Sequence, residues 1–106
     1  MNRPFFTVVM PAYGVEKYLE KAVQSITAQT FSDWELLIVE DGSPDKTGEI
    51  AEKLSQNDAR IQVFHHEKNH GLSPARNTGM SHAKGQYIWF MDPDDYVENN
   101  VLHEVY

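Results

Sequence analysis

Short apolar runs alternate with longer segments of helical spacing along the whole chain, and that alternation restricts it to a parallel sheet covered by helices. The runs are residues 5–10, 35–39, 61–65 and 87–91, each about the common length of a strand. Between the first two, Val15, Tyr18, Leu19, Ala22, Val23 and Ile26 recur at three- and four-residue steps and form one apolar helix stripe. Between the second and third, Ser43-Pro44 reads as an N-cap followed by proline at the first helical position, with Ile50, Ala51 and Leu54 as a narrower stripe. Between the third and fourth, Ser73-Pro74 repeats the start signal and Gly85 reads as the stop of a helix with a weak apolar face.

The second and fourth runs are almost wholly apolar, as strands buried on both faces are, whereas 61–65 is mixed and suits an edge. The expected fold is α/β: an open, mainly parallel sheet of strand order 3-2-1-4 with helices on both faces. Ligands of such sheets bind outside the carboxyl ends of the strands, at the point where the strand order reverses. The loops to inspect are therefore 11–14, 40–44, 67–73 and 92–96.

Bulk properties narrow the function. A chain of 106 residues is expected to form one domain, and its 41% hydrophobic content supplies a core. The net charge of −7 argues against nucleic acid, because binding a phosphate backbone calls for a basic stripe. An acidic protein that binds an anion must use backbone N–H groups, a helix N-terminus or a bound cation. With no cysteine, disulfides and thiolate metal sites are excluded. The first apolar run is far too short to span a bilayer, so no transmembrane segment is expected; the reading is of a cytoplasmic piece, with a peripheral place at the inner membrane face left open for a longer protein.

The loop Met91-Asp92-Pro93-Asp94-Asp95-Tyr96 sets three carboxylates behind an apolar strand, where their repulsion is unfavourable unless a cation or solvent relieves it. Mg²⁺ or Mn²⁺ takes such oxygens and completes its shell with water and substrate phosphates. The alternative is a turn capping a helix that starts near Val97. Glu40-Asp41-Gly42-Ser43 offers carboxylates to a base N–H or to ribose hydroxyls, or is ordinary turn chemistry. Pro11-Ala12-Tyr13-Gly14 could line a flat base, with the next helix N-terminus facing a phosphate; equally, Tyr13 could be an aromatic at the edge of the core. Arg76 stands in the first turn of a helix entered through a glycine loop, facing an anion or paired with a structural acid. His65, His66, His70, His82 and His103 lack metal-ligand spacing and are assigned no role.

Taken in order, Val8-Val9-Met10-Pro11-Ala12-Tyr13 with Tyr18-Leu19, Ser25 to Gln29-Thr30-Phe31 with Trp34-Glu35, Val39-Glu40-Asp41-Gly42-Ser43, Asn69-His70-Gly71-Leu72-Ser73-Pro74-Ala75-Arg76-Asn77, Lys84-Gly85-Gln86-Tyr87-Ile88 and Met91-Asp92-Pro93-Asp94-Asp95 resemble the N-terminal part of GT-A glycosyltransferases, in particular family 2. The resemblance covers nearly the whole chain. It implies that Pro11, Ala12, Tyr13 and Asp41 contact the nucleoside and that Asp92-Pro93-Asp94 is the D-x-D element. Asp94 would then be the direct metal ligand, Asp92 would lie near the ribose or the metal, Asp95 would support the loop, and the cofactor would be Mn²⁺ or Mg²⁺. Glu40 departs from the aspartate usual at its position. The implied reaction is transfer of a sugar, with inversion, from a nucleoside diphosphate donor, usually UDP-linked, to a saccharide or lipid-linked acceptor hydroxyl. The resemblance places the general base beyond the D-x-D element, here beyond Tyr106, so residues 1–106 are expected to be the donor-binding part, truncated before the acceptor half. Such a piece would bind nucleotide without turnover and would expose apolar surface along the fourth strand, favouring self-association.

Two other classes compete. A receiver domain needs an acidic pair after the first strand, where this chain has Pro11-Ala12-Tyr13. A non-catalytic nucleotide-sugar or carbohydrate binding module would keep the fold without the chemistry.

Overall fold

Successive side chains of a strand point to opposite faces, so a strand with both sets buried must be central. The computed structural model, which describes residues 4–28, 33–68 and 71–91, has two such strands. They are β1 (Phe6–Ala12), with only Pro11 half-exposed, and β2 (Trp34–Asp41), buried throughout. β3 (Ile61–His66) lies outside β2 and β4 (Tyr87–Phe90) outside β1, giving the order β3-β2-β1-β4 with every pairing parallel. The expected sheet order is therefore observed.

The helices divide between the faces. Phe6, Val8, Met10 and Ala12 of β1 join Trp34, Leu36 and Ile38 of β2 in a cluster with α1 (Leu19–Thr27) and α2 (Thr47–Asn57). Val9 points the other way, toward α3 (Leu72–His82). There Gly79 lets the helix settle on the sheet, since a Cβ would overlap the Val9 methyl groups. Burying a Leu or Ile side chain contributes roughly 1.5–3 kcal/mol. The fully buried Leu36, Leu37 and Ile38 make β2 the centre of the hydrophobic stabilisation.

The helix boundaries depart from expectation where a side chain is engaged elsewhere. On α1, Leu19, Ala22, Val23 and Ile26 are buried as the stripe requires, but Tyr18 lies in the turn before the helix and is exposed. α2 starts at Thr47 rather than at Ser43-Pro44, because the Ser43 hydroxyl faces the loop after β1 instead of capping the helix. The Asp45 carboxylate accepts from the Thr47 N–H at 3.0 Å and its hydroxyl at 2.6 Å, and so takes the capping role two residues on. α3 begins one residue ahead of Ser73, and Arg76 falls in its second turn rather than its first.

Gly85 is not the stop of α3, which ends at His82. Its N–H donates to Thr7 Oγ1 at 2.8 Å, and that hydroxyl donates to the buried Glu35 carboxylate at 2.7 Å. The Lys84 N–H donates to the same carboxylate oxygen, so Glu35 anchors the chain as it enters β4. β4 itself is not buried on both faces: Tyr87 and Ile88 are exposed and Trp89 and Phe90 half-buried. Among the described residues β4 is an outer strand, paired with β1 alone.

Candidate nucleotide site at the strand ends

The carboxyl ends of β1 and β2 are joined by side chains rather than by backbone. Beyond the last register pair, Ala12↔Glu40, the segment 43–47 reaches across to the turn that leads into α1. The Gly14 N–H donates to Ser43 Oγ at 3.1 Å, the Val15 N–H to Thr47 Oγ1 at 3.0 Å and the Glu16 N–H to Asp45 Oδ2 at 3.5 Å. These three donors at the entry to α1, a ready anion site in isolation, are thus engaged by the protein itself. Hydrogen bonds from Thr47 hold the Asp45 carboxyl below its usual range against the opposing effect of its partial burial.

Glu40 and Asp41, adjacent at the end of β2, face opposite sides of the sheet and have different partners. Glu40 turns toward α2. One of its oxygens accepts the Ser43 N–H, closing the turn, and the other lies 2.9 Å from His65 Nδ1. The other ring nitrogen of His65 lies 3.0 Å from Glu52 on α2. Burial pushes the Glu40 carboxyl up, but hydrogen bonds from His65 and Ser43 outweigh it and hold the group below its usual value. The Glu40 carboxylate raises the His65 pKa, burial opposes this, and Glu52 adds to the rise. The Glu40 side chain is therefore committed to a structural bridge.

Asp41 turns toward α3 and is almost fully buried, at 3% exposure. Its Oδ1 lies 2.7 Å from His66 Nδ1, and its Oδ2 accepts the Gly71 N–H at 2.9 Å. Gly71, at φ 95°, holds a left-handed conformation that a side chain would strain, and this conformation supports its hydrogen bond to Asp41 at the cap of α3. On the neighbouring strand Ala12 is buried in the core, Pro11 is half-buried, and Tyr13 is half exposed at 50%, one residue beyond the paired strand end. Of the three residues expected to meet a base, Tyr13 offers a ring and Pro11 and Ala12 the backbone beneath it.

Arg76 lies over the ring of Phe90, the last residue of β4, at 5.2 Å from its centroid. Its Nε is buried and, among the described residues, has no hydrogen-bond partner, and no acid among them pairs with it. A buried guanidinium N–H left without an acceptor is unfavourable, so the position suits an anionic ligand. Asp92, Asp94 and Asp95 lie outside the described residues, among which no group of three or more His, Asp or Glu side chains could hold a metal ion.

Two residues of this neighbourhood escaped the sequence reading. His65 and His66 were assigned no role, yet the register pairs them with Glu40 and Asp41. The signal was an acid-acid pair and a His-His pair at the ends of two strands, and only the register makes them neighbours. His82 stacks on Phe64 at 4.1 Å between centroids, a packing role, while His70 and His103 lie outside the described residues.

The all-parallel sheet with helices on both faces is an open α/β fold, and similarity to known proteins gives the family. Residues 7–106 match the model of glycosyl transferase family 2, and the chain belongs to that family. It is 49% identical over 102 residues to the uncharacterized glycosyltransferase EpsJ of Bacillus subtilis, covering 96% of this chain and 29% of that protein. It superposes on S. aureus TarS 1–349 in complex with UDP-GlcNAc with a TM-score of 0.88 at 33% identity, over 95% of this chain and 30% of that one. The mannosyltransferase PcManGT of Pyrobaculum calidifontis, in complex with GDP-Man and Mn²⁺, shares the fold at a TM-score of 0.80 and 23% identity, over 89% of this chain and 28% of that one. The chain thus spans less than a third of each of these proteins. No helix among the described residues is long and apolar enough to cross a membrane.

Proposed function

We propose that this chain carries the donor-binding part of an inverting glycosyltransferase that moves a sugar from a UDP-linked donor to a saccharide or lipid-linked acceptor hydroxyl. The observation that supports it most is the fixed Asp41 carboxylate at the end of β2, on the same sheet face as Arg76, with Tyr13 exposed just past the end of the neighbouring strand. Asp41 would accept from the base or ribose, Tyr13 would lie against the base with Pro11 and Ala12 beneath, and Arg76 would meet the diphosphate. The UDP-GlcNAc complex of TarS, matched along 95% of this chain, supports UDP as the nucleotide.

Asp94, with Asp92, would hold Mn²⁺ or Mg²⁺, a pair of oxygen donors of the kind these hard cations take. When bound, the cation stabilises the negative charge of the departing diphosphate. Inversion requires a general base within reach of the acceptor hydroxyl, and we assign that base to none of the residues described. The non-catalytic binding module is the second reading, favoured by the engagement of Glu40 in a structural bridge.

Titration calorimetry with UDP, with and without Mn²⁺, tests the site. We expect binding that is strengthened by Mn²⁺, loses that dependence in Asp94→Ala, and weakens at least about tenfold in Asp41→Ala, the scale of a lost charge-assisted hydrogen bond. Equal affinity in Asp41→Ala and the wild type would remove Asp41 from the site.

A further inference from the structure

Both oxygens of the buried Asp41 carboxylate are met by donors, and the two donors reach it differently. The Gly71 N–H is part of the backbone. His66 is a side chain, 15% exposed, whose far nitrogen Nε2 lies 2.9 Å from Thr78 Oγ1 on α3. An ionised carboxylate only accepts, so Nδ1 carries the proton; Nε2 of the neutral ring is then an acceptor, and the Thr78 hydroxyl donates to it. The three side chains form a line through α3, β3 and β2, and register pairing sets Asp41 and His66 side by side at the strand ends.

We infer that His66, set in the Nδ1–H tautomer by the Asp41 carboxylate and steadied at its far nitrogen by Thr78, is a positioning residue for Asp41 and thereby sets the affinity for the nucleoside part of the donor. The inference rests on the nucleotide reading of Asp41 above. A carboxylate already fixed in the geometry that receives a ligand loses little rotamer freedom on binding, whereas an unsupported one must be ordered first. His66 acts only through Asp41 and does not itself meet the nucleotide.

The test has one measurement that needs no ligand and one that does. Ring-nitrogen NMR of the labelled chain, recorded where the His66 signals show a singly protonated ring, is expected to show the proton on Nδ1, and Asp41→Ala is expected to shift the ring toward a mixture of tautomers. UDP affinity, measured on variants that still unfold cooperatively, should fall about tenfold in His66→Leu. It should stay within about threefold of wild type in His66→Asn, whose amide N–H stands where the Nδ1–H does. In an Asp41→Asn background, His66→Leu should cost no further affinity, because the group through which it acts is already altered.

A wild-type His66 protonated on Nε2 overturns the inference, as does a His66→Leu loss of equal size with and without Asp41, which marks a merely structural role. Wild-type protein that binds UDP no better than Asp41→Asn overturns the nucleotide reading instead, and with it the positioning role, even where the tautomer is as expected.

Discussion

At the level of one residue, Arg76 is where the proposed function makes the sharpest demand on the folded chain. Its Nε is buried beside Phe90 without an acceptor among the described residues, a state that stability alone does not favour. Replacing it with Met keeps most of the apolar stem and removes the unpaired donor. Arg76→Met should therefore leave stability within about 1 kcal/mol of wild type while lowering UDP affinity about tenfold and leaving uridine affinity unchanged. Calorimetry with the two ligands decides it, and an equal loss for both would take Arg76 away from the diphosphate. Arg76 was legible in the sequence as one of nine basic residues in an acidic chain, at the start of a helix. That Nε has no partner among the described residues was not legible, because which side chains surround a position depends on how α3 packs on the sheet. Glu40 and Asp41 make the same point: adjacent in sequence and alike in charge, they face opposite sides of the sheet and differ in task.

Among the elements, His65 ties β3 to both β2 and α2, through Glu40 and Glu52. Its pKa is raised on folding, so its stabilisation is complete below 6.5 and is lost as pH rises through the higher folded value. The Glu40 pKa is lowered, so its share is present above 4.5 and is lost as pH falls through the lower folded value. The bridge is thus strongest between those two pH values. Compared with wild type, His65→Gln should be less stable by about 0.5 kcal/mol in that window, a figure kept small by solvent screening of the half-exposed ring. The gap should narrow on either side. Urea midpoints of both proteins across pH check this, and a gap that does not change with pH would show that the bridge carries no charge. The strands themselves were legible from their apolar runs and the helix α1 from its stripe. The start of α2 was misplaced because Ser43 has the composition of an N-cap but faces the loop after β1.

Among the described residues, the outer strand β3 carries polar Gln62, His65 and His66, whereas the outer strand β4 exposes apolar side chains, Tyr87 at 59% and Ile88 at 43%. An outer strand with exposed apolar side chains invites pairing with another surface. The purified chain is expected to self-associate reversibly with rising concentration, and Ile88→Lys to shift it toward monomer. Sedimentation velocity over a range of concentrations measures both; a wild-type chain monomeric throughout would show that this edge does not drive association.

Periodicity alone determined the class of fold, the sheet order and the strand ends at which to look, because strand and helix periods and burial patterns are properties of the chain read locally. Side-chain chemistry left Asp41, Tyr13 and Arg76 open between ligand and structural roles, and the nucleoside contacts of Asp41 and Tyr13 came from the family resemblance. Only the tertiary structure decided that Glu40 is a bridge, that His66 and Thr78 stand behind Asp41, and that the donors before α1 are engaged by Ser43, Asp45 and Thr47. Each of those facts joins residues far apart in the chain across strand register or between packed elements, distances at which local pattern carries no information.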